Sequence, residues 1–149
     1  MRMKLLWIAV IIGLGACDSK ENEVAPVSTF SFKLDTIAFH SNATEAFVTD
    51  TLYPGNQTLI IDGVTNNFEH HMELMITFPD SIHTGSYENL VEMSLMNIEQ
   101  KAVGYVSRRI KVNITGINSK HAEGTFSGVL INGDTEKRLT DGTFKVEIY

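Results

Sequence analysis

From Thr29 to the end of the chain, apolar and polar residues alternate with a period of two, and helical periodicity is nearly absent. The clearest alternating runs are Phe30–Leu34, Met72–Phe78, Ile110–Ile114 and Phe144–Ile148. Successive side chains of a strand point to opposite faces of a sheet, so these runs predict strands with one buried and one solvated face. That pattern is typical of antiparallel sheets.

Turn residues separate these runs at intervals that suit an all-β domain. The turn segments are Pro54-Gly55-Asn56, Pro79-Asp80, Thr84-Gly85, Asn118-Ser119 and Asn132-Gly133. A type I′ turn needs φ > 0 at both central residues, and Asn132-Gly133 predicts one between strands near Glu123–Ile131 and Leu139–Tyr149. Leu90–Gln100 fits a strand or a helical turn, and a strand is preferred. For residues 29–149 we expect one all-β domain, an antiparallel β-sandwich or flattened β-barrel of about eight to ten strands.

The beginning of the chain has a different composition. Arg2 and Lys4 precede the apolar run Leu5–Leu14, which is shorter than the roughly 20 residues needed to span a bilayer. These features predict a signal peptide over residues 1–16, not a permanent transmembrane helix. Two kinds of signal peptide are compatible with them, an ordinary secretory signal and a lipoprotein signal.

Leu14-Gly15-Ala16-Cys17 resembles the lipobox of bacterial lipoproteins. The resemblance implies cleavage between Ala16 and Cys17, after which Cys17 is the first residue and carries thioether-linked diacylglycerol, usually with an amide-linked acyl chain. Each buried CH₂ contributes about 0.8 kcal/mol, so several acyl chains would hold the protein on a membrane permanently. With its only cysteine lipidated, the chain has no thiol for a disulfide.

Residues 17–28 contain the lipidated cysteine and a polar, acidic segment that predicts a flexible tether. Lys20-Glu21 resembles the export signal that sends Bacteroidetes lipoproteins to the cell surface. The alternative is a merely solvated linker. We therefore expect an outer-membrane lipoprotein of the cell envelope, either periplasmic or exposed on the surface.

The net charge limits the partners. Without Arg2 and Lys4, the 12 basic residues fall to 10 against 18 acidic ones, a formal charge of −8. Such a charge argues against nucleic acid and anionic lipid headgroups as partners. We expect a monomer that contacts the membrane through the lipid on Cys17.

Several runs resemble a family of Bacteroidetes lipoproteins with an all-β domain of unknown function. The runs are Phe30–Asp35, Thr58–Gly63, Met75–Pro79, Thr84–Tyr87, Tyr105–Ser107, Ile110–Thr115, Gly124–Ser127 and Thr140–Phe144. Where this chain has Asp35-Thr36, the family commonly has Asp-Gly. The resemblance implies an all-β fold and a lipoprotein of the cell envelope, and it supplies no catalytic residues.

The common catalytic motifs are absent from the sequence. There is no Gly-x-Ser-x-Gly elbow, His-Glu-x-x-His pair, EF-hand loop or phosphate-binding glycine pattern. Gly124–Gly128 has the wrong spacing for an elbow and predicts a strand that another chain segment approaches closely. We therefore expect no enzyme and no cofactor.

His70-His71 resembles a metal-binding pair, but adjacent side chains of a strand point to opposite faces. The alternation places His70 on the buried face and His71 on the solvated face. We interpret both as histidines of a strand or loop and expect no metal site. The alternative is a transition-metal site that joins one of them to His40, His83 or His121.

A pair of catalytic carboxylates is the signature of a glycoside hydrolase. Glu69 and Glu73 would share one strand face, but four residues of strand separate them by roughly 13 Å, beyond the catalytic range. Solvated outer-face charges are the preferred interpretation.

Asp35-Thr36-Ile37, Asp50-Thr51-Leu52 and Asp80-Ser81-Ile82 resemble the O-glycosylation signal of Bacteroidetes envelope proteins. All three fall at predicted turns or strand ends, where a transferase can reach the hydroxyl. Thr36, Thr51 and Ser81 are therefore candidate O-glycosylation sites.

Two functions from different classes are compatible with the sequence. The preferred one is a non-catalytic module that binds a glycan, a peptide or an envelope protein through loops or exposed strands. The alternative is a small barrel that carries a lipid or other apolar ligand, lined by Met72, Met75, Met93 and Met96. An unrecognised hydrolase ranks third.

Overall fold

The computed structural model describes residues 28–41 and 44–149, except for the side chain of Val103. Within this part the fold is all-β with ten strands, which confirms the predicted class and strand number. Their bounds are β1 Thr29–Leu34, β2 Ile37–Ser41, β3 Thr44–Thr49, β4 Gln57–Val64, β5 His70–Phe78, β6 Gly85–Tyr87, β7 Val91–Asn97, β8 Ala102–Ile117, β9 His121–Asn132 and β10 Thr135–Glu147. The described residues include no helix of the length and hydrophobicity needed to cross a membrane.

All ten strands belong to one antiparallel sheet with the order β2-β1-β10-β9-β8-β7-β5-β4-β3, and β6 pairs with β8. The two ends of this sheet approach each other. Ala46 in β3 forms a parallel bridge with Ile148, and the Tyr149 amide donates to the Ala46 carbonyl at 3.1 Å. On the other edge, the Asn66 amide donates to the carbonyl of His40 in β2 at 2.8 Å. The sheet is therefore nearly closed into a barrel, which agrees with the predicted sandwich or flattened barrel.

The barrel interior is filled by the apolar positions of the alternating runs. Phe30, Phe32 and Leu34 of β1 are each 2% exposed. The Phe30 ring stacks on Phe126 at a centroid distance of 5.0 Å, and Phe32 stacks on Phe39 at 5.2 Å. A fully buried side chain of this size contributes roughly 1.5–3 kcal/mol, so this aromatic cluster is a main source of stability.

The antiparallel register assigns each connection to one end of the barrel. We call the end that holds Ser28, the turn 118–120 and the C-terminus the base, because the Glu147 amide donates to Ser28 Oγ at 3.0 Å and the Ile148 amide to the Lys120 carbonyl at 2.9 Å. The loops 50–56 and 79–84 also lie at the base. The opposite, distal end carries the connections 35–36, 65–69, 98–101 and 133–134.

The hairpin between β9 and β10 differs from the predicted one. Asn132 pairs with Thr135, so the two central residues are Gly133 and Asp134, and only Gly133 has a positive φ, of 57°. A glycine at the first central position is the type II′ pattern, so the predicted type I′ turn at Asn132-Gly133 was wrong. Pairing continues up to this turn, and β10 therefore begins at Thr135 instead of near Leu139.

The first hairpin forms without the glycine that is common in the resembling family. Leu34 pairs with Ile37, and Asp35 adopts a left-handed φ of 56°. The Arg138 amide donates to Asp35 Oδ1 at 2.9 Å, and the Asp35 amide donates to the Arg138 carbonyl at 2.7 Å. These two bonds to β10 stabilise a conformation that aspartate tolerates better than most residues.

The ambiguous segment Leu90–Gln100 contains strand β7, as predicted. Val91, Met93 and Leu95 are buried at alternating positions. Leu90 has a φ of 56°, which interrupts any helical turn just before the strand begins.

The signal peptide 1–16, the cleavage site at Ala16 and Cys17, the lipid on Cys17 and all of the tether except Ser28 lie outside the described residues. They remain predictions.

Candidate functional site

The two adjacent histidines lie on opposite faces of β5, as the alternation predicts. The ring of His70 packs edge-on against Phe39 at 5.8 Å, and His71 Nε2 lies 2.5 Å from Asp62 Oδ1 on the outer face. The described residues hold no group of three or more histidine, cysteine or acidic side chains arranged to bind a metal ion.

The prediction that Glu69 and Glu73 share a strand face was wrong. Glu69 precedes β5, and its carboxylate accepts a hydrogen bond from Asn67 Nδ2 at 2.8 Å within the loop 65–69. Phe68 has a φ of 58°, so the chain leaves the extended conformation before the alternation of β5 begins.

The four methionines proposed to line a ligand cavity face two directions. Met72 and Met93 are buried in the core at 1% and 2% exposure. Met75 and Met96 lie on the outer face, where Met75 pairs with Glu92 and is only partly buried. The four side chains therefore do not form one lining.

All three candidate O-glycosylation residues are exposed. Thr36 lies in the distal turn 35–36, whereas Thr51 and Ser81 lie in the two base loops. Thr51 Oγ1 is 2.8 Å from Thr49 Oγ1. Their modification remains a prediction.

A long surface groove runs along the outer face of β9. The outward side chains Thr125 and Ser127 are small, and together with Lys111 and Asn113 of β8 and Asp141 and Thr143 of β10 they line a groove of about 510 Å³. A second groove of about 550 Å³ shares Ser127 and continues past Val129 towards the distal end. We call the two together the β9 trough. From Thr125 to Val129 it extends about 14 Å, at about 3.4 Å per residue.

Irregular pairing on both neighbouring strands shapes the β9 trough. The register shifts between Ser107 and Arg109 on β8, and between Leu139 and Gly142 on β10. Such bulges bend a strand, increase its twist and change the direction of nearby side chains. A Cβ on Gly128 would overlap the Arg109 carbonyl oxygen, so glycine is required for this close approach.

Hydroxyl and amide groups line the base-side part of the trough. Asn113, Thr125 and Thr143 are cross-strand neighbours on β8, β9 and β10, and all three are exposed. The next strand continues this row, since Ser31 Oγ lies 2.8 Å from Thr143 Oγ1. Each of these side chains can both donate and accept hydrogen bonds.

Arginines flank the distal part of the trough. Arg109 and Arg138 both pair with Val129, one on each side, and both are exposed. Two strand spacings separate them by about 10 Å between Cα atoms.

Several neighbouring charges are already paired. Arg108 contacts Glu136, and Lys33 Nζ lies 2.9 Å from Asp141 Oδ2.

Lys111 has a partner as well. Its Nζ lies 2.7 Å from Glu88 Oε1, and the hydrogen bond and charge of Lys111, with a smaller contribution from the charge of Arg109, lower the pKa of Glu88 below its ordinary value. In the described part of the chain, no ion pair involves Arg109 or Arg138.

An exposed aromatic residue marks the distal end. Phe68 is 76% exposed in the loop 65–69, with the strained φ noted above. Buried Thr65 holds this loop, since its Oγ1 donates to Asn67 Oδ1 at 2.7 Å and accepts from the His70 amide at 3.1 Å. The Ile98 amide donates to the Glu69 carbonyl at 2.9 Å, which ties this loop to the turn 98–101.

A third feature, a cleft of about 430 Å³, lies at the base. Its apolar side chains come from Val48, Ile82, Ile117 and Ile148, and its side-chain amides from Gln57 and Asn118. It lies where β3 meets the C-terminal end of the chain.

Sequence reasoning missed the arginines because it used only the net charge. The overlooked signal is the distribution: no lysine or arginine occurs between Lys33 and Lys101. Of the nine basic residues in the described part, seven lie on β1, β8 and β10, which together with β9 form a contiguous part of the sheet. These are Lys33, Arg108, Arg109, Lys111, Lys137, Arg138 and Lys145. Comparisons with protein-family models, curated proteins and solved structures found no match for this chain.

Proposed function

We propose that this protein is a lipoprotein of the bacterial cell envelope whose barrel binds an extended glycan, without catalysis, along the β9 trough. The lipobox resemblance at Cys17 and the acidic tether support the envelope location. The resemblance to Bacteroidetes lipoproteins agrees with that location.

The observation that carries the ligand class is the composition of the trough. It is an open, elongated surface about 14 Å long with a floor of small hydroxyl side chains at Thr125 and Ser127. Asn113 and Thr143 add an amide and a further hydroxyl on either side. A polyhydroxylated chain is complementary to such a row, because each group can donate to or accept from a sugar hydroxyl.

Its position on the barrel suits this function. The trough lies on the side of the barrel, and the described chain begins at the base with Ser28. A tether attached at the base would hold the base towards the membrane. The side of the barrel would then remain accessible to a polymer.

Affinity electrophoresis through gels that contain a soluble polysaccharide tests the proposal. The probes are dextran, carboxymethyl-dextran and dextran sulfate, and the protein is the full chain purified from membranes in detergent. Retardation by at least one polymer is expected. Ser127→Trp fills the trough and should abolish it, whereas Thr135→Trp, an exposed position of β10 outside the trough, should not. Free migration in every gel would contradict glycan binding.

The location has its own test. In the host, the domain should be cleaved by protease added to intact cells if it is on the surface, and protected if it is periplasmic. Cys17→Ser should abolish incorporation of labelled fatty acid and release the protein from the membrane fraction. Lipid incorporation that persists in Cys17→Ser would contradict the lipoprotein assignment.

A further inference from the structure

The distribution of charge around the barrel narrows the ligand class. Residues 44–100 form β3 to β7 with their loops and contain nine acidic residues and no lysine or arginine. The basic residues are instead concentrated on the β1, β8 and β10 side, which carries the trough. Residues 28–41 and 101–149 contain nine basic and six acidic residues, a formal charge of +3. A protein with an acidic excess therefore has one side with a small positive charge, and that side carries the trough.

On that side, four basic side chains form no ion pair among the described residues: Arg109, Lys137, Arg138 and Lys145. Lys137 Nζ lies 5.1 Å from the centre of the Tyr105 ring, and of the four only Arg109 and Arg138 pair directly with Val129 of the trough. They flank Val129, across which their Cα atoms are about 10 Å apart. A guanidinium offers several donors in a planar fork that matches a carboxylate or sulfate. Two such groups can therefore hold an acidic substituent between them.

The two acidic residues that line the same part of the trough each have a partner within the protein. Asp35 Oδ1 accepts the Arg138 amide at 2.9 Å, and Glu136 pairs with Arg108. The bond to Asp35 also fixes the backbone of Arg138, and the bulge between Ser107 and Arg109 sets the direction of Arg109.

Taken with the row of hydroxyls and amides beside it, the geometry points to an acidic polysaccharide as the ligand, with its carboxylate or sulfate groups held by Arg109 and Arg138. This inference rests on the proposed glycan-binding function and adds the charge of the ligand. The polymer lies along β9, with sugar hydroxyls on the Thr125 and Ser127 side and an acidic group at the distal, arginine side.

Dextran and its carboxymethyl and sulfate derivatives share one backbone, so comparing them isolates the acidic group. Binding of the full chain in detergent is measured by affinity electrophoresis at two salt concentrations. Both acidic derivatives should bind about tenfold more tightly than dextran, since charge-assisted hydrogen bonds contribute on that order. The difference should shrink as salt is raised. Equal binding of all three polymers would overturn the inference while leaving glycan binding intact, and binding of none would contradict the proposed function.

Variants of matched charge locate the interaction. Arg109→Gln with Arg138→Gln should remove the preference for acidic dextrans and leave the weaker binding of dextran. Lys101→Gln with Lys120→Gln makes the same change in net charge in two turns outside the trough and should preserve the preference. An equal loss in both double variants would show an effect of net charge alone and would overturn the site.

Two further comparisons separate specific recognition of an acidic polysaccharide from non-specific electrostatic attraction. Arg109→Lys with Arg138→Lys keeps the charge but not the planar fork, so an intermediate affinity is expected. Polyglutamate supplies carboxylates without sugar and should bind less tightly than carboxymethyl-dextran. Equal or tighter binding of polyglutamate would overturn an acidic polysaccharide as the preferred ligand.

Discussion

At the scale of single residues, close approach between strands fixes the identity of Gly124 in β9. A Cβ at this position would lie 2.5 Å from the Asn113 carbonyl oxygen and 2.7 Å from Phe144 Cζ. Gly124→Ala is therefore expected to lower the free energy of unfolding by about 1–3 kcal/mol, because the neighbouring strand and ring must move. Urea unfolding followed by fluorescence measures the change. Thr125→Ala alters the next, outward-facing position and should cost no more than about 1 kcal/mol; equal losses would contradict the steric explanation.

Asp35 has two separable roles, since it adopts a left-handed backbone and accepts the Arg138 amide. Asparagine can fill both roles, glycine only the first and alanine neither. Stability should therefore fall in the order Asp35→Asn, Asp35→Gly, Asp35→Ala, with a loss of about 1–2 kcal/mol for alanine. Thermal unfolding of the three variants gives the order. Equal melting temperatures of Asp35→Ala and Asp35→Asn would show that neither role contributes to stability.

At the scale of secondary-structure elements, a buried pair of hydroxyls joins β4 to β5. Thr58 and Thr77 are 0% and 1% exposed, and their Oγ1 atoms are 2.9 Å apart. Replacing one threonine with valine leaves the other hydroxyl buried without this partner, which should cost about 1–3 kcal/mol. The double variant removes both polar groups while keeping their shape, and we expect it to be more stable than either single variant. A double-mutant cycle by urea unfolding measures the coupling, and simple additivity of the two losses would refute it.

Local alternation predicted the strands well but could not predict their neighbours. Side-chain periodicity reports which face of a segment is buried, and this was enough for the runs Phe30–Leu34 and Ile110–Ile114. The sheet places β1 beside β10, more than a hundred residues away along the chain, and no local pattern encodes that pairing. Turn positions are also harder to predict than strands. The central residues of the last hairpin are Gly133 and Asp134, one residue beyond the predicted Asn132-Gly133.

The candidate site could be predicted only in part, for the same reason. The sequence shows that lysine and arginine are missing between Lys33 and Lys101, but the convergence of Arg109 and Arg138 on Val129 requires the β8-β9-β10 register. The trough also depends on two bulges, whose positions follow from pairing and not from composition.

At the scale of the whole molecule, the acidic half of the barrel carries an electrostatic cost. Glu45, Asp62 and Glu73 occupy directly paired positions on β3, β4 and β5, so like charges face each other across neighbouring strands. Of the three, Asp62 has His71 as a partner. Like charges at such positions destabilise a sheet, and salt screens them.

Removing one charge from this row should therefore stabilise the protein. Glu73→Gln is expected to raise the free energy of unfolding by about 0.2–1 kcal/mol at low salt, because it removes the repulsion between Glu73 and Asp62. The gain should shrink in high salt, where the wild-type protein itself becomes more stable as the Debye length falls to about 3 Å at 1 M. Urea unfolding at low and high sodium chloride measures both effects. Glu99→Gln makes the same charge change in the distal turn 98–101, away from the paired row, and should have less effect. A loss of stability in Glu73→Gln, or an equal gain in Glu99→Gln, would show that cross-strand repulsion does not limit the stability of the acidic half.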